Sequence, residues 1–245
     1  MPECRSDAYL LRMDIILIPG FWLDGSSWSE VAPVLEKAGH RVQALTLPGL
    51  ESVGTDRGGI QLRDHVEAAI AAVDGADGPV VLVGHSGGSA IAHAAADARP
   101  DRVVRVVHVD AVPLAVGEAI NNGLRVVDGE IPLPDWSEFP AEDLRDLDDG
   151  LREAFRAAAV PQPAAVAYDP QVLTDERRYD IPATIIACEF TGDELREWIA
   201  QKDPDTTEVA ALRDAEYIDL PTGHWPQFTK PGELADVILD AVDRT

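Results

Sequence analysis

The sequence predicts an α/β domain, a mostly parallel sheet flanked by helices, and three observations carry that expectation. Short apolar runs bounded by turn residues alternate with stretches of helical periodicity, the pattern of strands joined by crossover helices. The chain has 245 residues, enough for one domain to bury a core without disulfides or metals. One apolar run ends in a glycine-flanked serine that opens a small-residue helix, as at the join between a buried strand and the helix that follows it.

Strands are expected at Asp14–Ile18, 41–45, 80–83, Val103–Val109, 184–187 and 216–219. Between the first two, residues 29–38 put Val31, Val34, Leu35 and Ala38 at helical spacing, and Gly39 follows as a stop signal. Residues 64–73 repeat the helical period before the third strand, and Pro231–Val242 reads as a closing amphipathic helix. Pro, Asp and Glu crowd together between about residues 113 and 180, as at 131–134 and 140–149, among helical pieces such as 151–159. An insertion of that length between two strands exceeds an ordinary loop and is expected to form a helical cap within the single domain. Residues 1–12 read as an extension ahead of the first strand.

Composition narrows the partners. Asp and Glu number 44 against 20 Lys and Arg, a formal charge of -24, and only Lys37, Lys202 and Lys230 among the basic residues are lysines. Such a surface repels phosphate backbones and anionic lipid, so a small-molecule substrate is expected, with no nucleic acid and no membrane. Cys4 and Cys188 are too few for a disulfide framework, and no Cys and His cluster has zinc-ligand spacing, so neither metal nor cofactor is expected. The longest apolar runs, Ile15 to Ile18 and Pro79 to Val83, fall far short of the roughly 20 residues a membrane helix needs. The N-terminus lacks a basic stretch followed by an apolar core, and a cytoplasmic location is the expectation. Oligomeric state is left open.

The informative segment runs from Pro79 through Val, Val, Leu and Val to Gly84-His85-Ser86-Gly87-Gly88 and on into an alanine-rich helix. This is G-x-S-x-G between a strand and a helix. A turn that sharp strains its central residue, and flanking glycines remove the Cβ atoms that would collide. Ser86 then faces outward as a candidate nucleophile, and the helix beginning beside it directs its dipole and free N–H groups at any developing oxyanion. The plainer alternative is a glycine-rich turn whose serine only caps the helix.

Three further segments stand out: Ile18-Pro19-Gly20-Phe21-Trp22 with Trp28, Leu47-Pro48-Gly49-Leu50, and Thr222-Gly223-His224-Trp225-Pro226. With the serine turn they make the chain resemble the α/β-hydrolase superfamily over nearly all of residues 13–245. The likeness is greatest to small esterase-like members that include plant methylesterases and hydroxynitrile lyases. The resemblance implies the α/β-hydrolase fold, with His224 as the base of Ser86, and oxyanion donors at the amides of Gly87 and Phe21. Where the superfamily usually has His-Gly after the first strand, this chain has Pro19-Gly20, which removes a side chain but not the backbone donor. Imidazole suits a base because its unperturbed pKa of about 6.5 lies near working pH. His85, at the variable position of the turn, is expected only to pack.

The acid that orients the base stays open. Most family members carry it just past the strand at 184–187, a spacing that falls here on Thr191. Asp193 lies two residues later, within a capping box in which Thr191 caps a helix and Glu194 reaches back. Asp110 ends the preceding strand, where haloalkane dehalogenases and some other members hold their acid. It is the first candidate, Asp193 the second and Glu189 the third, and a strand-end cap on backbone amides is the competing role for Asp110. Trp22 is a candidate substrate-binding residue, and Phe21, Trp28 and Trp136 are further pocket-lining candidates. The implied activity is that of a serine hydrolase acting on a small carboxylic ester, lactone or related acyl compound through an acyl-enzyme. A lyase using the same triad and a weakly catalytic ligand-binding protein are the alternatives.

Overall fold

The computed structural model describes residues 12–245; Cys4 and nearly all of the N-terminal extension lie outside the described residues. β1 (Asp14–Ile18), β2 (Arg41–Ala44), β3 (Val80–His85) and β4 (Val103–Val109) open the chain's sheet. Next come β5 (Glu130–Ile131) and β6 (Gln162–Pro163), which pair only with each other, antiparallel, outside that sheet. β7 (Ala183–Ala187) and β8 (Ala215–Asp219) complete it in the order β2-β1-β3-β4-β7-β8, every neighbouring pair being parallel.

Burial on both faces explains why the central strands read as unbroken apolar runs rather than as alternating ones. Ile16, Ile18, Val80 and Leu82 join a core cluster with residues of α2 (Leu62–Gly75) and α3 (Gly87–Ala98). Their neighbours Ile15, Leu17, Val81 and Val83 join the opposite cluster with Leu35 of α1 (Ala32–Lys37) and the buried face of α9 (Pro231–Val242). Each such side chain contributes about 1.5–3 kcal/mol relative to exposure, so the alternation fixes the register of both strands.

α1 begins later than the predicted 29–38. Asp24 caps a 3-10 turn over Gly25–Trp28, and Pro33, lacking an N–H, belongs in the first helical turn, where that donor would have no partner. β3 runs two residues past its predicted end, to His85, which delivers the chain directly to the serine turn.

The stretch between β4 and β7 is less helical than predicted. It holds the small β5–β6 ladder, 3-10 turns, α4 (Asp149–Ala158) and α5 (Ala164–Tyr168). It is tied to the sheet's upper edge at several points. The Trp22 indole N–H donates to the Ile131 carbonyl at 3.1 Å, and the Val160 amide donates to the Trp22 carbonyl at 3.0 Å. Leu147 and Phe155 pack on Leu23 and Trp225. Beyond β7, α6 (Gly192–Gln201) and α7 (Thr207–Ala211) flank the far edge, and α8 (Pro226–Thr229) leads into α9. Among the described residues no helix is long and apolar enough to cross a membrane.

A buried ionic network holds α3 in place. Arg178 bridges Asp97 and Glu208, and Glu208 also accepts from His93 Nε2 at 2.9 Å. All four side chains are buried, so each charge depends on its partners.

Strand order then positions the site. From β1 the chain leaves for the edge strand β2, then returns past β1 to β3, and open α/β sheets form their crevice at such a reversal, beyond the carboxyl ends of the strands. Ile18 pairs with Gly84 and His85 with Val109, so Phe21, Ser86 and Asp110 all emerge at the same edge.

Candidate active site

Ser86 has φ 50° and ψ -123°, in the region L side chains rarely adopt. The flanking glycines permit it: a Cβ on Gly84 would stand 2.4 Å from the Gly88 carbonyl oxygen, and one on Gly88 would stand 2.5 Å from that of Pro19. Gly84→Ala is therefore expected to lower stability by roughly 2–4 kcal/mol. In thermal melts this is a fall in Tm of roughly 5–15 °C; an unchanged melt would mean the turn absorbs the methyl group.

Ser86, His224 and Asp110 meet in a row of contacts. The Ser86 hydroxyl lies 2.8 Å from His224 Nε2, and His224 Nδ1 lies 2.7 Å from Asp110 Oδ2. The other Asp110 oxygen accepts the Cys188 and Glu189 amides at 2.9 and 3.0 Å. The strand-end cap and the partner of histidine are thus the same carboxylate, one oxygen for each. Burial alone would raise the Asp110 carboxyl, but these hydrogen bonds and the His224 charge hold it below the usual carboxylate range.

Asp193 is in another position altogether. Its side chain is 92% exposed in the first turn of α6, paired with Arg196, beside the capping box of Thr191 and Glu194. Glu189 comes close to His224: Oε1 is 2.7 Å from Nδ1. Burial raises its carboxyl, with Asp110 and Asp143 adding to the effect against the pull of His224. Burial disfavours a charged His224, yet the adjoining Asp110 and Glu189 outweigh it and raise the ring above its ordinary value. The His224 ring is therefore more basic than an unperturbed imidazole.

Two contributors escaped the sequence. His85 does more than pack: its Nε2–H donates to the His224 carbonyl at 2.6 Å, and its Nδ1 faces Gln227 Nε2 at 3.3 Å. Burial, then the nearby His224 charge, lowers His85 to about 3, so it serves as a neutral donor. Asp143 offers its carbonyl to the His224 amide at 2.8 Å, which fixes the base from the inserted segment. Nothing local in Gly-x-Ser-x-Gly or in the acidic 140–149 stretch announces either contact.

Ser86, Asp110, Asp143 and His224 line a cavity of about 1050 Å³, at the upper end of ordinary ligand pockets. Phe21, Trp22, Gly87 and His224 face it with Ser86. The Gly87 amide stands in the first turn of α3, where no intrahelical acceptor exists, and the Phe21 amide donates to no acceptor among the described residues. Trp28 and Trp136 do not line the cavity. Trp28 is fully buried in the α1 and α9 core, and Trp136 packs on Phe139, Phe155 and Trp225. Asp110, Glu189 and His224 are also the one trio, among the described residues, whose acidic, His or Cys donor atoms lie within 4.8 Å of one another. Their shared contact with His224 Nδ1 brings the two carboxylates together. Burial pushes the nearby Cys188 thiol up, away from any nucleophilic role.

The family model described as the alpha/beta hydrolase family matches residues 15–237. The chain belongs to the alpha/beta hydrolase family. A pyrethroid hydrolase of Sphingobium wenxiniae is 28% identical over 256 residues, covering 94% of this chain and 88% of the relative. Methylesterase 9 of Arabidopsis thaliana is 24% identical over 261 residues, covering 94% and 98%. Among solved structures, an extracellular alpha/beta-hydrolase from a Paenibacillus species superposes with a TM-score of 0.74 at 22% identity, covering 94% of this chain and 98% of that one. Within the alpha/beta hydrolase family this chain is an esterase-like hydrolase.

Proposed function

We propose that the protein is a serine hydrolase that cleaves neutral carboxylic esters or lactones through an acyl-enzyme, with Ser86 as nucleophile, His224 as base and Asp110 as the orienting acid. The reading rests on the Ser86–His224–Asp110 contacts of 2.8 and 2.7 Å lining a large cavity. The Ser86 oxygen attacks the acyl carbon as its proton passes to His224 Nε2. The negative charge that forms on the carbonyl oxygen is met by the Phe21 and Gly87 amides. His224 returns the proton to the departing alkoxide, leaving the acyl group on Ser86. Water then attacks the acyl-enzyme, gives its proton to Nε2, and releases the acid as Ser86 regains its hydrogen. The names of the relatives, a pyrethroid hydrolase and a methylesterase, support ester chemistry.

Charge supports the neutral substrate. Besides the site's own groups, the lining carries Glu118, Asp135, Glu138, Asp143 and Asp205 against Arg125. An anionic acyl or alcohol half would enter against that field. Trp22 offers a ring face, because its indole N–H is already used on Ile131. The test compares kcat/KM for 4-nitrophenyl butyrate and 4-nitrophenyl hemisuccinate, similar in size but differing by one negative charge. The neutral ester is expected to react about ten-fold faster or more at low ionic strength. Equal rates would remove the charge argument, and hydrolysis of neither would count against ester chemistry.

A further inference from the structure

Glu189 Oε1 is a buried oxygen with no hydrogen-bond partner, although it stands 2.7 Å from His224 Nδ1. The Nδ1 hydrogen bond goes to Asp110 Oδ2 at the same distance. A buried acceptor left without a donor requires an explanation, because losing its water costs roughly 1–3 kcal/mol. Here the missing donor is one small ring rotation away. The Glu189 amide is itself tied to Asp110 Oδ1 at 3.0 Å, so the backbone turn after β7 links the two carboxylates that share His224 Nδ1. Asp110 is almost fully enclosed, whereas the Glu189 side chain is 25% exposed and has room to move.

We infer that Glu189 is a second positioning carboxylate for His224, one that adds its charge to that of Asp110 and accepts the Nδ1 proton when the ring tilts away from Asp110. A base that serves both Ser86 and the leaving oxygen changes its direction during the reaction, and two acceptors keep Nδ1 partnered in both. The inference rests on the proposed role of His224 as base, and the titration that tests it does not depend on that role.

The surroundings decide the sign of the effect. Facing His224 and Glu189 are Asp110 from the end of β4, Asp143 from the inserted segment, neutral His85 from β3, and the un-ionised Cys188 thiol at the end of β7. Lys230, ahead of α9, is the cation felt at Cys188. Removing the Glu189 charge takes away an anion that favours imidazolium, so the ring should lose its proton at lower pH.

The experiment is the titration of the His224 imidazole by ¹⁵N NMR in the wild type and in Glu189→Gln, which keeps size and polarity. A downward shift of about one unit or more is expected, in line with an opposite charge at close contact. The acid limb of kcat/KM should move down by the same amount. A His224 titration that stays within about 0.2 unit overturns the inference, whatever happens to kcat. In the second arm, Asp110→Asn should keep at least about ten-fold more activity than Asp110→Asn/Glu189→Gln, because Glu189 still accepts the Nδ1 proton. Equal losses in the two would overturn the acceptor role even if the titration moves. Absence of any Ser86-dependent hydrolysis, with the shift present, would instead strike at the hydrolase reading and leave the Glu189 assignment standing.

Discussion

Ser86→Ala is expected to lower kcat for a neutral ester by at least about a thousand-fold while KM changes little. In the proposed mechanism Ser86 supplies the oxygen that forms the acyl bond, and its hydroxyl lies 2.8 Å from His224 Nε2, which would take its proton. Without that oxygen only the amides of Phe21 and Gly87 and the cavity itself remain to assist attack by water. Such a remnant is typically worth about a thousand- to ten-thousand-fold over the uncatalysed reaction, far below a complete triad. Alanine occupies the same strained backbone conformation as serine, so the melt should stay near that of the wild type. Steady-state rates beside a thermal melt check this, and a Ser86→Ala protein that keeps a tenth of its activity would remove Ser86 from the mechanism.

His224→Ala is expected to cost a comparable factor, and the double variant Ser86→Ala/His224→Ala should be no slower than either single one by more than about three-fold. In the proposed mechanism Ser86 and His224 act as one unit, so once either is gone the other has nothing to do. Independent roles would multiply instead, and a double variant slowed by the product of the two single losses would contradict the relay. Loss of the ring also frees the polar faces of Asp110 and Glu189 in a partly buried place, so the variant's fold is checked by its near-UV spectrum before rates are compared.

Much of this was legible in the residues, for physical reasons that differ from place to place. Ile15 to Ile18 and Val80 to Val83 had to be central parallel strands, since only burial on both faces accounts for unbroken apolar runs. Ser86 was legible because Gly84 and Gly88 permit a close approach of backbone to backbone at its turn. His224 was legible by its place between the last strand and the last helix. The carboxylate partner of His224 was legible only as a ranking, Asp110 ahead of Asp193 and Glu189, because all three lie near strand ends; tertiary structure brings Asp110 and Glu189 within 2.7 Å of Nδ1 and leaves Asp193 exposed beside Arg196. Trp28 was a pocket-lining candidate, but it closes the 3-10 turn Gly25–Trp28 and packs into the opposite core. The contacts of His85 and Asp143 with the backbone of His224 join distant segments and leave no mark on local sequence.

The most direct test of the central claim is the intact mass of the protein after exposure to a fluorophosphonate probe, read beside Ser86→Ala. The account predicts one phosphonyl adduct per chain on the wild type, formed faster as pH rises through the titration of His224, and none on Ser86→Ala under the same conditions. A folded wild type that takes up no adduct, or a Ser86→Ala variant that labels as the wild type does, would contradict it.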